Sequence, residues 1–133
     1  MQTRWLGIGL LVTLSACAPT PTAPDVSGTW RDEAAAFTTC GETFPVAVGL
    51  TLLQTGLDLR GTFALQGNPA VFAGEVEQGR ITGEVRGADG SALEAALTRR
   101  GGRLVGTFTA AGETGCTDGS SSVSVYNVDM ARQ

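Results

Sequence analysis

The 133-residue chain contains no histidine and no lysine, and all nine of its cationic side chains are arginine. Without His, no group titrates near neutral pH for general acid–base work, and without Lys there is no amine for a Schiff base. Aromatic residues make up only 6%, with one Tyr, two Trp and five Phe. Long apolar runs are missing as well. The run from Leu6 to Leu14 falls short of the about 20 residues that a bilayer-spanning helix needs. A surplus of positive charge is also absent: thirteen carboxylates against nine arginines give a net charge of −4. Scattered arginines in an acidic chain argue against binding nucleic acid or anionic headgroups. Carboxylate pairs are few. Glu75 and Glu77 fall on the outward face of one candidate strand, which is not a cleft, and Asp32-Glu33 lie in a candidate loop. With no His and no CxxC, and with Asp89, Glu113 and Asp118 lacking the spacing of a calcium loop, no metal set emerges. The expectation is a protein that is not an enzyme and carries no cofactor and no metal.

The N-terminus carries the clearest signal. Arg4 and Trp5 precede the short apolar run, and small residues follow it, which is the pattern of a secretory signal peptide. Leu14-Ser15-Ala16-Cys17 resembles the lipobox of bacterial lipoproteins. The resemblance implies cleavage after residue 16 and a diacylglycerol group on Cys17. It also implies attachment to the cell envelope, on the outer membrane of a Gram-negative cell because Ala18 rather than Asp follows the cysteine. An ordinary disulfide cysteine is the alternative for Cys17. Residues 1–16 are then the signal and 17–25 a tether, in which Pro19, Pro21 and Pro24 keep the chain extended at about 3.1 Å per residue. Residues 26–133 form one domain.

From Val26 onward the pattern is strict alternation, the period of half-buried antiparallel strands. Eight strands are predicted: Val26–Arg31, Val46–Gln54, Leu57–Gln66, Ala70–Glu77, Arg80–Arg86, Ala92–Thr98, Arg103–Thr109 and Ser122–Asp129. Asp32 to Phe37 is the one stretch that suits a helical turn. An apolar–x–Gly–x–apolar theme recurs at Val26–Trp30, Leu59–Phe63, Phe72–Val76, Ile81–Val85 and Leu104–Phe108. Its glycine always falls on the inward face, as a tightly curling sheet requires. Three hairpins pair inward residues with inward residues. A loop at Gln78-Gly79 sets Val76 against Ile81 and Phe72 against Val85. One at Thr55-Gly56 sets Leu52 against Leu59, and a four-residue loop from Arg99 to Gly102 sets Leu97 against Leu104.

The remaining four connections share the opposite end. The first, Asp32 to Pro45, holds Cys40, and the last, Ala110 to Ser121, holds Cys116. If Cys17 carries lipid, these two cysteines form a disulfide in an oxidising compartment, the alternative being free thiols or metal ligands. In a meander closed on itself, strands 1 and 8 are neighbours and both cysteines flank the seam. The fold expected is therefore all-β, an eight-stranded antiparallel up-and-down barrel with long loops at one end. Gly28-Thr29-Trp30 resembles the G-x-W opening of lipocalin-like and avidin-like barrels, in which the Trp plugs or lines the closed end. The mature chain has one Trp, whereas avidin-type biotin sites use several.

The predicted barrel lining is uncharged: Trp30, Val46, Val48, Leu50, Leu52, Leu59, Phe63, Phe72, Val76, Ile81, Val85, Leu93, Leu97, Leu104 and Phe108. Eight strands enclose a space that side chains fill or that admits one small ligand. Candidate ligand contacts are Trp30, Phe63, Phe72 and Phe108, with Tyr126 at the rim. The sequence thus points to an envelope binding module for a small apolar ligand, or a structural envelope lipoprotein, acting as a monomer. The alternative is a protein-binding module that uses Phe37 and Phe44 in the first long loop. Its size, G-x-W and early cysteine resemble those of periplasmic peptidase inhibitors.

Overall fold

Alternating apolar residues bury one face of a ribbon, and curling that ribbon until its edges meet removes the unpaired edge. The computed structural model describes residues 25–133. The signal at 1–16, Cys17 and the tether up to residue 24 lie outside the described residues. The strands are β1 (Gly28–Thr39), β2 (Glu42–Thr55), β3 (Asp58–Leu65), β4 (Asn68–Glu77), β5 (Arg80–Arg86), β6 (Ala92–Arg100), β7 (Arg103–Gly115) and β8 (Ser121–Arg132). Each pairs antiparallel with the next, and β8 returns to β1, closing an up-and-down barrel.

The inward side chains form a single apolar core. Thirteen of the fifteen predicted lining residues are buried in it, and Val46 and Leu93 pack against it half-buried. Val26, Ala35, Ala95, Val128 and Met130 complete it. Each large apolar side chain so buried contributes about 1.5–3 kcal/mol. Curvature depends on the inward glycines. A Cβ at Gly61 would overlap the Thr51 carbonyl, and one at Gly106 the Ala96 carbonyl. At Gly74 and Gly83 it would strike neighbouring backbone and the edge of the Phe72 ring. Adjacent strands approach most closely at these points, and the Phe72 ring covers two of them.

One end of the barrel is plugged. Val26 is fully buried, and its carbonyl accepts a 2.9 Å hydrogen bond from Trp30 Nε1. The Val26 amide donates to Gln54 Oε1, and the Gln54 amide donates to Ser27 Oγ. Arg99 and Arg132 both donate to the Asp25 carbonyl, and the Arg132 guanidinium lies 4.6 Å from the centre of the Trp30 ring. A short segment before β1 thus crosses the barrel floor with its polar groups satisfied.

Three expectations from the sequence need correction. Asp32 to Pro45 and Ala110 to Ser121 are not long loops but the upper parts of β1–β2 and β7–β8. The first closes in a two-residue turn at Cys40-Gly41, and the second keeps only a short loop near Cys116–Ser120. Asp32 to Phe37 forms no helical turn. It is a bulged strand in which Asp32 Oδ1 accepts the Ala34 amide and Oδ2 accepts the Asp129 amide. The extra bulge residue moves the inward positions from Trp30 to Ala35 and Phe37, which hides the alternation.

Two hairpin registers also slip by two residues. The β2–β3 turn is Gly56-Leu57, pairing Leu52 with Gly61, and the β6–β7 turn is Gly101-Gly102, pairing Leu97 with Gly106. In both, a glycine with positive φ takes the first turn position, as a type II′ turn demands. A slip of two keeps every side chain on its face, except that Leu57 joins the turn and is 53% exposed. The Gln78-Gly79 hairpin keeps the predicted register.

Candidate functional site

The turns of β1–β2, β3–β4, β5–β6 and β7–β8 surround the end opposite the plug. The wall there is uneven: β1, β2, β7 and β8 have 12 to 14 residues, whereas β3 to β6 have 7 to 10. The tall strands rise as a half-wall above the shorter ones. Cys40 and Cys116 join their tips in a disulfide, with Cα atoms 5.7 Å apart. Below it, the Cys40 amide donates to Ser122 Oγ, and Ser124 Oγ donates to Thr39 Oγ1.

Inside this rim lies an open cavity of about 630 Å³. It exists because inward residues shrink along the barrel axis. Trp30, Phe72, Leu104, Ile81 and Met130 fill the closed half without exposure. At the mouth the inward positions hold Ala70, Ala110, Thr114 and Ser124. Phe63 forms the floor, packed at 4.7 Å against the buried Phe108 ring. Leu65, Val85 and Leu93 line the sides. Phe37 and Tyr126, cross-strand partners stacked at 4.5 Å, line the tall wall. Polar contacts come from Asn68, Thr114, Ser124 and Ser91, with Asp89 as the charged member.

Partial burial raises the Tyr126 pKa, so the phenol stays protonated across the physiological range. Its hydroxyl has no protein hydrogen-bond partner among the described residues. Asp89 is held below the ordinary carboxylate range, first by the Ser91 hydroxyl and then by the Ser91 amide. Its carboxylate accepts those two bonds at 2.6 and 2.9 Å. The same device recurs at the next loop, where Asp118 accepts from the Ser120 hydroxyl and amide. Gly87–Ser91 and Cys116–Ser120 close with matching backbone bonds, so two rim loops are built alike.

The ligand contacts expected from the sequence separate into two levels. Phe63 and Tyr126 line the cavity, whereas Trp30, Phe72 and Phe108 lie in the filled core, fully buried. Phe37 is on a strand rather than a loop and faces the cavity, while its partner Phe44 is 45% exposed near the hairpin tip. Cys40 and Cys116 are joined as expected. Ala70, Ala110, Thr114 and Ser124 were not expected at the site. Their signal is small residues on inward positions near one end: Ala70 and Ser124 fall inside the predicted strands, whereas Ala110 and Thr114 become readable only when β7 extends past Thr109. Among the described residues, no group of three or more Cys, Asp or Glu gathers to hold a metal ion.

The architecture is a closed eight-stranded antiparallel meander with one plugged end and one open end. The chain matches no protein-family model and no curated protein sequence.

Proposed function

We propose that this protein is a non-enzymatic, lipid-anchored binding module of the cell envelope that holds a small apolar ligand in the open mouth of its barrel. The observation that carries this reading is the cavity itself: about 630 Å³, open to solvent, with Phe37, Phe63, Leu65, Leu93 and Tyr126 in its walls. Pockets of this size with apolar walls and a few polar groups are typical of small-molecule sites. The buried Trp30 at the closed end supports the likeness to lipocalin-like and avidin-like barrels. The absence of His and Lys supports a binding rather than a catalytic role. The lipobox at Leu14–Cys17 supports anchorage, with the outer membrane as the site in a Gram-negative cell and the monomer as the working unit.

The test is uptake of a neutral apolar fluorophore such as N-phenyl-1-naphthylamine by the purified domain. Saturable fluorescence enhancement is expected, and its loss in Ala70→Phe and Ala110→Phe, whose rings fill the cavity, locates the site. Variants that stay folded and bind as before would overturn the reading. Anchorage has its own check: Cys17→Ser is expected to move the protein from the membrane fraction to the soluble one.

A second reading keeps one supporting observation. Phe44 on the projecting β1–β2 hairpin is 45% exposed, a feature that suits a protein partner such as a peptidase docking on the tall wall.

A further inference from the structure

The arginines of this barrel are sorted along its axis, whereas carboxylates occur at both ends. Of the eight described arginines, seven lie in the plugged half: Arg31 near the start of β1, Arg60 in β3, Arg80 in β5, Arg99 and Arg100 in β6, Arg103 in β7 and Arg132 in β8. Arg86 alone lies near the mouth, and Glu84 holds it at 2.7 Å. The mouth carries Glu42 beside the β1–β2 turn, Asp89 in the cavity wall and Asp118 in the loop after β7, with Glu113 paired to the exposed Val123 on the outer face of the tall wall. Glu113 accepts a hydrogen bond from the Ser121 hydroxyl and Asp118 accepts from Ser120, neither partner being a cation.

Resting on the cavity reading above, we infer that the mouth discriminates by charge and takes an amphiphile with a cationic or uncharged head, excluding anionic ones. A ligand whose tail lies on Phe63, Leu65 and Leu93 leaves its head at the rim, beside Asp89, the charged residue of the cavity wall. A carboxylate or phosphate head would meet like charge there and no unpaired cation. A cationic head meets opposite charge, and an uncharged head finds the Tyr126, Thr114 and Ser124 hydroxyls. The Ser91 hydrogen bonds keep Asp89 ionised through and well below neutral pH, so the repulsion persists across the physiological range.

The experiment compares three competitors with one tail. N-phenyl-1-naphthylamine is loaded first, then displaced by decyltrimethylammonium, decanol or decanoate below their micelle concentrations. Decanoate is expected to bind about fivefold or more weakly than decyltrimethylammonium at low salt, with the gap narrowing as salt screens the rim. The double variant Asp89→Asn, Asp118→Asn, which keeps each acceptor oxygen, is expected to close most of that gap, read as the ratio of decanoate to decyltrimethylammonium affinity. Equal binding of all three competitors, or tighter binding of decanoate, overturns the charge inference while leaving the cavity reading intact. Failure of the fluorophore itself to bind overturns both.

Discussion

Single atoms decide the curvature of this barrel. The Cβ that alanine would bring to Gly61 overlaps a backbone carbonyl on the neighbouring strand, and backbone cannot step aside as a flexible side chain can. Gly49 is an outward contrast, where the nearest atoms to an added Cβ are 3.8 Å away. Gly61→Ala is therefore expected to lower unfolding free energy by about 1–3 kcal/mol, the usual cost of overpacking. Gly49→Ala is expected to be near neutral, and urea denaturation of the two variants measures the difference. The recurring inward glycine was legible in the sequence as a mark of tight curling. Which atom each glycine makes room for was not legible, because that depends on strand pairing.

At the scale of elements, legibility stopped where the alternation changed phase. β3, β4 and β5 read cleanly because each keeps one phase from end to end. β1 does not: the bulge anchored by Asp32 adds a residue, and the inward set jumps from Trp30 to Ala35 and Phe37. β7 has a similar break between Thr109 and Glu113. Both breaks lie under the half-wall, so the part of the sheet that shapes the cavity was the part least readable. The disulfide ties these same two hairpins together. Cys40→Ser with Cys116→Ser is expected to cost about 2–4 kcal/mol. Hydrogen exchange is expected to rise first at Phe37–Thr43 and Glu113–Val123 while β3 to β6 stay protected. The rim loops respond to acid instead. The native pKa values of Asp89 and Asp118 lie below their unfolded values, so their turns are fully stabilised above the ordinary aspartate range. That contribution is lost as pH falls through the native values. The Ser91 and Ser120 amide shifts are expected to titrate with midpoints below the ordinary aspartate range, and Asp89→Asn abolishes the first.

For the molecule as a whole, core and cavity are two halves of one interior. Because the cavity sits on the folded core, a bound ligand stabilises the entire barrel. A neutral probe at about 100 times its dissociation constant is expected to add about 2.7 kcal/mol, read as a higher Tm. Ala110→Phe is expected to show no such increment. The closed meander and the seam between β8 and β1 were legible early, since two cysteines far apart in sequence met there only in a ring. The hollow was left open by the sequence, because a count of strands permits both a packed and an empty interior. The plug at Val26 and Trp30 has a kinetic outcome: the interior is a cul-de-sac, with no drain at its base. A ligand held as proposed would have to leave past the same four turns through which it entered.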